Sequence, residues 1–191
     1  GEHGGMVWIK RRDGTPDHVI NDTVRGAGNR LRTNTGSGNA SSTNYLSAFN
    51  NNGFSLGTDA DVNLGSSKYA SWTFRKQKGF FDVVTYSGSG SAKTVAHSLG
   101  SVPGMIMIKR TDTSGHWIVY HRNLTSNAVY LALNQNWEER ASDYWNSTAP
   151  TSTHFSIKDQ DNVNASGGTY IYMTFAEMPL VNSNGVPANA E

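Results

Sequence analysis

Apolar and aromatic residues fall along this chain in short clusters of strand length, separated by small polar residues. The clusters are "MVWIK", "HVIND", "NYLSAF", "GFSLG", "YASWTF", "FFDVVTY", "KTVAH", "MIMIKR", "HWIVYH", "AVYLALN", "HFSIKD" and "TYIYMTF". Several alternate sides, as Trp117, Val119 and His121 do against His116, Ile118 and Tyr120, which is the period of a half-buried strand. Between them stand "RDGTPD", "NTGSGNASSTN", "SGSGS", "NSTAPTST" and "NASGG", whose Gly, Asn, Asp and Ser favour turns. One stretch, Asn136 to Tyr144, is compatible with two helical turns; the rest predicts an all-β protein.

The pattern is written twice. Gly5, Met6, Ile9, Lys10, Arg11 and Asp13 match Gly104, Met105, Ile108, Lys109, Arg110 and Asp112, and later Phe54, Ser55, Tyr69, Thr73 and Phe74 match Phe155, Ser156, Tyr170, Thr174 and Phe175. Each copy opens with a "GMxxIKRxD" strand and closes on a "YxxxTF" strand, so the expected architecture is two tandem, related β-sandwich units of jelly-roll type. A single lectin-like sandwich built from both copies is the alternative. The expected units are residues 1–78, residues 79–177 and an extended C-terminal arm over residues 178–191. A hairpin, "GFFDVVTYSGSGSAKTVAHSLGSVP", leads into the second copy, whereas only four residues precede Gly5. Either the first unit has lost its hairpin or the chain is cut from a longer array, and the missing initiator Met favours the cut.

Composition narrows the classes of function. With 191 residues, 36% of them hydrophobic, the chain can bury a sizeable core. A net charge of +1 and a charged fraction of 16% give no global attraction to nucleic acid or anionic membrane, and no apolar run is long enough to span a bilayer. The absence of cysteine removes disulfides, thiolate metal sites and a Cys nucleophile. A polar remainder of Ser, Thr, Asn and Gly suits a protein outside the cell or on a particle.

Chemical constellations are few. Asp59, Asp61 and Asn63 have the D-x-D-x-N spacing of a calcium loop, but Leu64 and Ala70 stand where an EF-hand needs Gly and Glu, so a tight turn is favoured over a calcium site. No other cofactor is expected. His116 and His121 fall on opposite faces of a strand and cannot share a metal, and His97 in "AHSLG" is expected to hydrogen bond a loop backbone. Asp22 and Arg25 are placed for a local ion pair. No nucleophile elbow, phosphate loop or dinucleotide fingerprint occurs, and catalysis is not expected.

Trp8, Trp72 and Trp117 lie within strand patterns and are expected in the core. Trp137, Tyr144 and Trp145 lie in "NQNWEERASDYWNSTAP", where the first copy has "GSGNASSTN". With Glu138 and Arg140 beside them, these rings form a candidate carbohydrate or receptor contact; the competing reading packs them over the end of the sandwich.

The segments "HSLGSVPGMIMIKR", "GMVWIKRRDG", "NDTVRGAGNRLRTNT", "FNNNGFSLGTDADVN" and "YASWTFRKQKGFFDVVTYSGSG", with the closing "FAEMPLVNSNGVPANAE", resemble a repeat of tail-fibre-like virion structural proteins of marine tailed phages, cyanophages in particular. The likeness runs over nearly the whole chain and carries no catalytic or ligand-binding motif. It implies a virion location and a non-enzymatic structural role, as the C-terminal module of an appendage contacting the host surface. The alternative is a particle-building role, as a capsid decoration protein or a repeating subunit of a fibre or tube. An enzyme acting on host polysaccharide is a distant third. The expected partners are other copies of the chain, with a trimer as one arrangement, other virion proteins and a host-surface glycan, without nucleic acid or membrane insertion.

Overall fold

Antiparallel pairing organises the molecule, and it does so twice. The computed structural model describes residues 4–177; the expected C-terminal arm lies outside them. The first copy contains β1 (Gly5–Arg11), β2 (Val19–Asp22), β3 (Asn29–Arg32), β4 (Ala40–Ser41), β5 (Leu46–Asn50), β6 (Gly53–Leu56), the single helical turn α1 (Ala60–Asn63) and β7 (Tyr69–Arg75). The second contains β8 (Phe81–Ser87), β9 (Lys93–Ala96), β10 (Pro103–Arg110), β11 (Ile118–His121), β12 (Val129–Ala132), β13 (Arg140–Ala141), β14 (His154–Ile157), α2 (Asp161–Asn164) and β15 (Thr169–Ala176). One sheet has the order β4-β3-β2-β1-β7, the other β13-β12-β11-β10-β15-β8, so the shared strands run in the same order and β8 is extra. Two ribbons, β5-β6 and β14-β9, complete the all-β fold.

The layers follow from side-chain alternation. Met6 and Ile20 of the first sheet and Met107, Val119, Ile171 and Met173 of the second share one core, which packs the two sheets face to face. On the far side of the first sheet, Val7, Ile9 and Val19 meet Leu46 and Val62, under the β5-β6 ribbon and α1. On the far side of the second, Ile106, Ile108 and Tyr172 meet Val95, Trp145 and Phe155, under the β14-β9 ribbon.

The repeated opening strand has a physical reason in both places. Arg11 Nε lies 2.7 Å from Asp13, and Arg110 Nε 2.9 Å from Asp112. Each carboxylate also accepts a backbone N–H at the start of the returning strand, from Lys68 and from Thr169. The arginine hydrogen bonds hold both carboxyls below the ordinary aspartate range. Lys10 and Lys109 donate to the carbonyls of Arg11 and Arg110. Gly5 is required because a Cβ there would run into the Phe74 carbonyl oxygen. At the other end of each unit, Tyr69 and Tyr170 clamp α1 and α2. Their hydroxyls donate to Ala60 and Asp161 carbonyls and accept from the N–H groups of Leu64 and Ala165, all at 2.7–2.8 Å.

Several expectations are corrected. β8 and β9 do not pair with each other as a hairpin: β8 joins β15 and β9 joins β14, because the chain crosses between layers at Gly88–Gly90, tied to Gly168 and Asn164. Residues 136–144 contain the short strand β13 and no helix. The "TDADVN" segment is a helical turn with Asp59 as its N-cap, accepting from Asp61 N–H at 2.9 Å. Trp117 is fully buried, but Trp72 is 50% exposed.

Candidate functional site

The loop weighed between recognition and packing is mostly packing. Tyr144 and Trp145 are buried: Tyr144 meets Tyr130 edge-on at 4.7 Å, and Trp145 lies against Tyr120 and Phe155. Trp137 remains half-buried, with the Arg140 guanidinium over its ring at 4.3 Å and His116 against its edge at 4.9 Å. Glu138 and Arg140 are exposed, while Glu139 caps the Thr125 hydroxyl and N–H. The structure therefore keeps Trp137, Glu138 and Arg140 at the surface and withdraws the other two rings into the core.

The acidic segment is occupied by arginine. Asp59 and Asp61 both lie 3.0 Å from Arg30, and Asp61 also 3.0 Å from Arg32, which reaches Asp17 at 2.9 Å. Arg30 in turn stacks on Tyr45 at 3.7 Å. Burial disfavours the charge on Arg32, yet Asp61 and Asp17 outweigh it and raise its pKa. Asn63 donates its amide to the Gly57 carbonyl. These carboxylates thus neutralise a buried guanidinium instead of converging on an open cation position, and among the described residues no cluster of three or more His, Asp or Glu has metal-binding geometry.

His97 does what its sequence context predicts. Its Nδ1 accepts from Leu99 N–H, which places the proton on Nε2, facing the Thr151 carbonyl at 3.2 Å. Burial lowers its pKa. The Asp22–Arg25 pair also forms, at 2.6 Å between Nε and the carboxylate, and is buried.

The feature that sequence reasoning did not locate lies on the first unit. A groove of about 540 Å³ opens between the ends of β1 and β7 and the tip of the β5-β6 ribbon, with Val7, Phe49 and Phe54 inside and Thr73, Arg75 and Asn50–Asn52 at the rim. On the same face of the second sheet, Tyr172 stands in place of Ser71 and Tyr120 in place of Asn21, and both belong to one buried cluster with Val95, Trp145 and Phe155.

Beside the groove runs β7, which is the edge strand of its sheet among the described residues. Lys76 N–H bonds Gly4 O and Arg12 N–H bonds Lys68 O, so with the unbroken β1–β7 register it is the even-numbered residues of β7 that bond β1. The backbone N–H and C=O of Tyr69, Ser71, Thr73 and Arg75 consequently point outward. Their counterparts Tyr170, Tyr172, Thr174 and Ala176 bond β8 and Phe80. The signal in the sequence was the "FFDVVTY" run, which leads into the second opening strand.

A family model described as Domain of unknown function (DUF7483) matches residues 1–165. The chain belongs to that family. The matched span runs from before β1 through α2 and so includes both opening strands. No curated protein and no solved structure matches the chain.

Proposed function

We propose that this chain is a non-enzymatic structural module of a phage virion that works by assembling with neighbouring chains through its first unit. The observation that carries the assembly reading is the pairing-competent β7 edge beside an open groove, at the place where the second unit is covered by its own strand. The virion assignment rests on the resemblance of the sequence segments to tail-fibre-like repeats. The test is to locate the chain in purified particles by mass spectrometry and antibody labelling, and to compare hydrogen exchange of β7 in the particle and in the chain diluted to the monomer. The chain should be present, with the Ser71 and Thr73 amides protected only in the particle. Absence from particles, or equal exchange in both, overturns the reading.

Host contact through residues 137–140 is the second reading, favoured by Trp137 remaining at the surface between Glu138 and Arg140. Under it, Trp137→Ala reduces adsorption to host cells while leaving the melting curve nearly unchanged. Unchanged adsorption removes it.

A further inference from the structure

We infer that β7 pairs antiparallel with β7 of a second copy about a two-fold axis through Trp72, joining the two first sheets into one. Natural edge strands are protected by shortness, proline, bulges or charge. β4 and β13 are two residues long, and β8, the other long edge, carries Asp82. β7 has seven residues in unbroken register with β1, no Gly or Pro, and no charge before Arg75.

The strand "YASWTFR" is also self-complementary. In an antiparallel pair the outward-facing residues must meet one another. Among the residues of β7, the register centred on Trp72 does this for all four: Ser71 meets Thr73 of the copy, Tyr69 meets Arg75, and each relation occurs twice. The same register puts Trp72 opposite its own counterpart at a non-hydrogen-bonded position, where side chains are closest. Trp72 is the most exposed of the large hydrophobic residues described, and it ends a row of rings. His18 lies 6.0 Å from Trp8, and Trp8 lies 6.4 Å from Trp72, with the Trp8 indole N–H donating to His18 Nδ1. Pairing continues that row across the axis and covers Trp72 on both sides.

The inference deepens the assembly reading by naming the partner, and its test is separate from particle location. Sedimentation or light scattering of the full chain over a concentration series should show a dimer. Thr73→Pro removes only an outward N–H, so it should give a folded monomer, judged by circular dichroism and near-wild-type melting of the dissociated form. If that variant misfolds, Trp72→Lys serves in its place, because it sets like charges opposite each other at an exposed site.

Register is read by cysteine, which the chain otherwise lacks. Trp72→Cys should give a reducible dimer, since its two Cα atoms would stand about 4.5 Å apart. Ala70→Cys should not, since its copies would sit roughly 14 Å apart along the strands. A chain that stays monomeric at all concentrations, a dimer that survives both Thr73→Pro and Trp72→Lys, or equal cross-linking at both cysteines overturns the inference. A monomer in solution that is still found in particles would remove self-pairing and leave the assembly reading standing.

Discussion

The second unit covers the outer face of its sheet with Tyr120, Tyr172, Trp145, Val95 and Phe155, whereas the first has Asn21 and Ser71 in place of the two tyrosines and leaves a groove between the ends of β1 and β7 and the β5-β6 ribbon. The strand order is shared, and so are the arginine–aspartate lock and the tyrosine clamp. What differs is the cover. Hydrogen-bonded topology is thus reproduced by a short set of polar contacts, while stability and surface availability are set by which rings lie on top.

The sharpest way to break this comparison is to truncate equivalent phenylalanines. Phe155 is 1% exposed among aromatic neighbours, so Phe155→Ala should cost about 3–5 kcal/mol in denaturant unfolding. Phe54 is half-buried at the groove, and Phe54→Ala should cost less than half as much. Equal losses would mean that the two covers are energetically alike.

A smaller contrast is expected at the tyrosine clamps. Tyr170 is buried, so Tyr170→Phe leaves the Asp161 carbonyl and the Ala165 N–H without their partner and should cost about 1–3 kcal/mol. Water can reach the more open Tyr69 site, so Tyr69→Phe should cost less, by thermal melting of the two variants side by side.

The remaining effects concern pH. Burial pulls Lys109 from its ordinary value of 10.5 to about 8, where it donates to Gly36 O from the first unit as well as to Arg110 O. The unfolded chain then binds more protons over that interval, so the Lys109 contribution to stability rises as pH climbs from about 8 to 10.5. Subtracting the Lys109→Met profile should isolate the rise. The lowered pKa of His97 acts in the acid range with the same sign. Its contribution is present above the ordinary histidine value and is lost as pH falls through the folded one, and His97→Gln should flatten that limb.

Strands with alternating or continuous apolar residues were legible because two-residue periodicity is a local property, and the duplication was legible because the lock and clamp fix residue types. β3, "NRLR", was not. Leu31 is its one apolar side chain, and its other face is filled by Arg30, neutralised by Asp59 and Asp61 from 29 and 31 residues away. The helical turns are four residues long, too short to show a 3.6-residue period. The environments of Trp72 and Trp145 depend on whether another layer reaches them, which pattern cannot report. For Trp145 the longer loop folds back over its own sheet, and for Trp72 the sheet ends.

Face-to-face closure gives the two-unit block a definite valence. The inner faces are used up on each other and the outer faces carry ribbons, so a sheet that continues from one block into the next does so at its margin, in the plane of the strands. A margin that pairs with its own copy about a two-fold is saturated after one partner. Any fibre, tube or shell made from such blocks would therefore need a second, chemically different bond at another margin, and its repeat length would count pairs of chains.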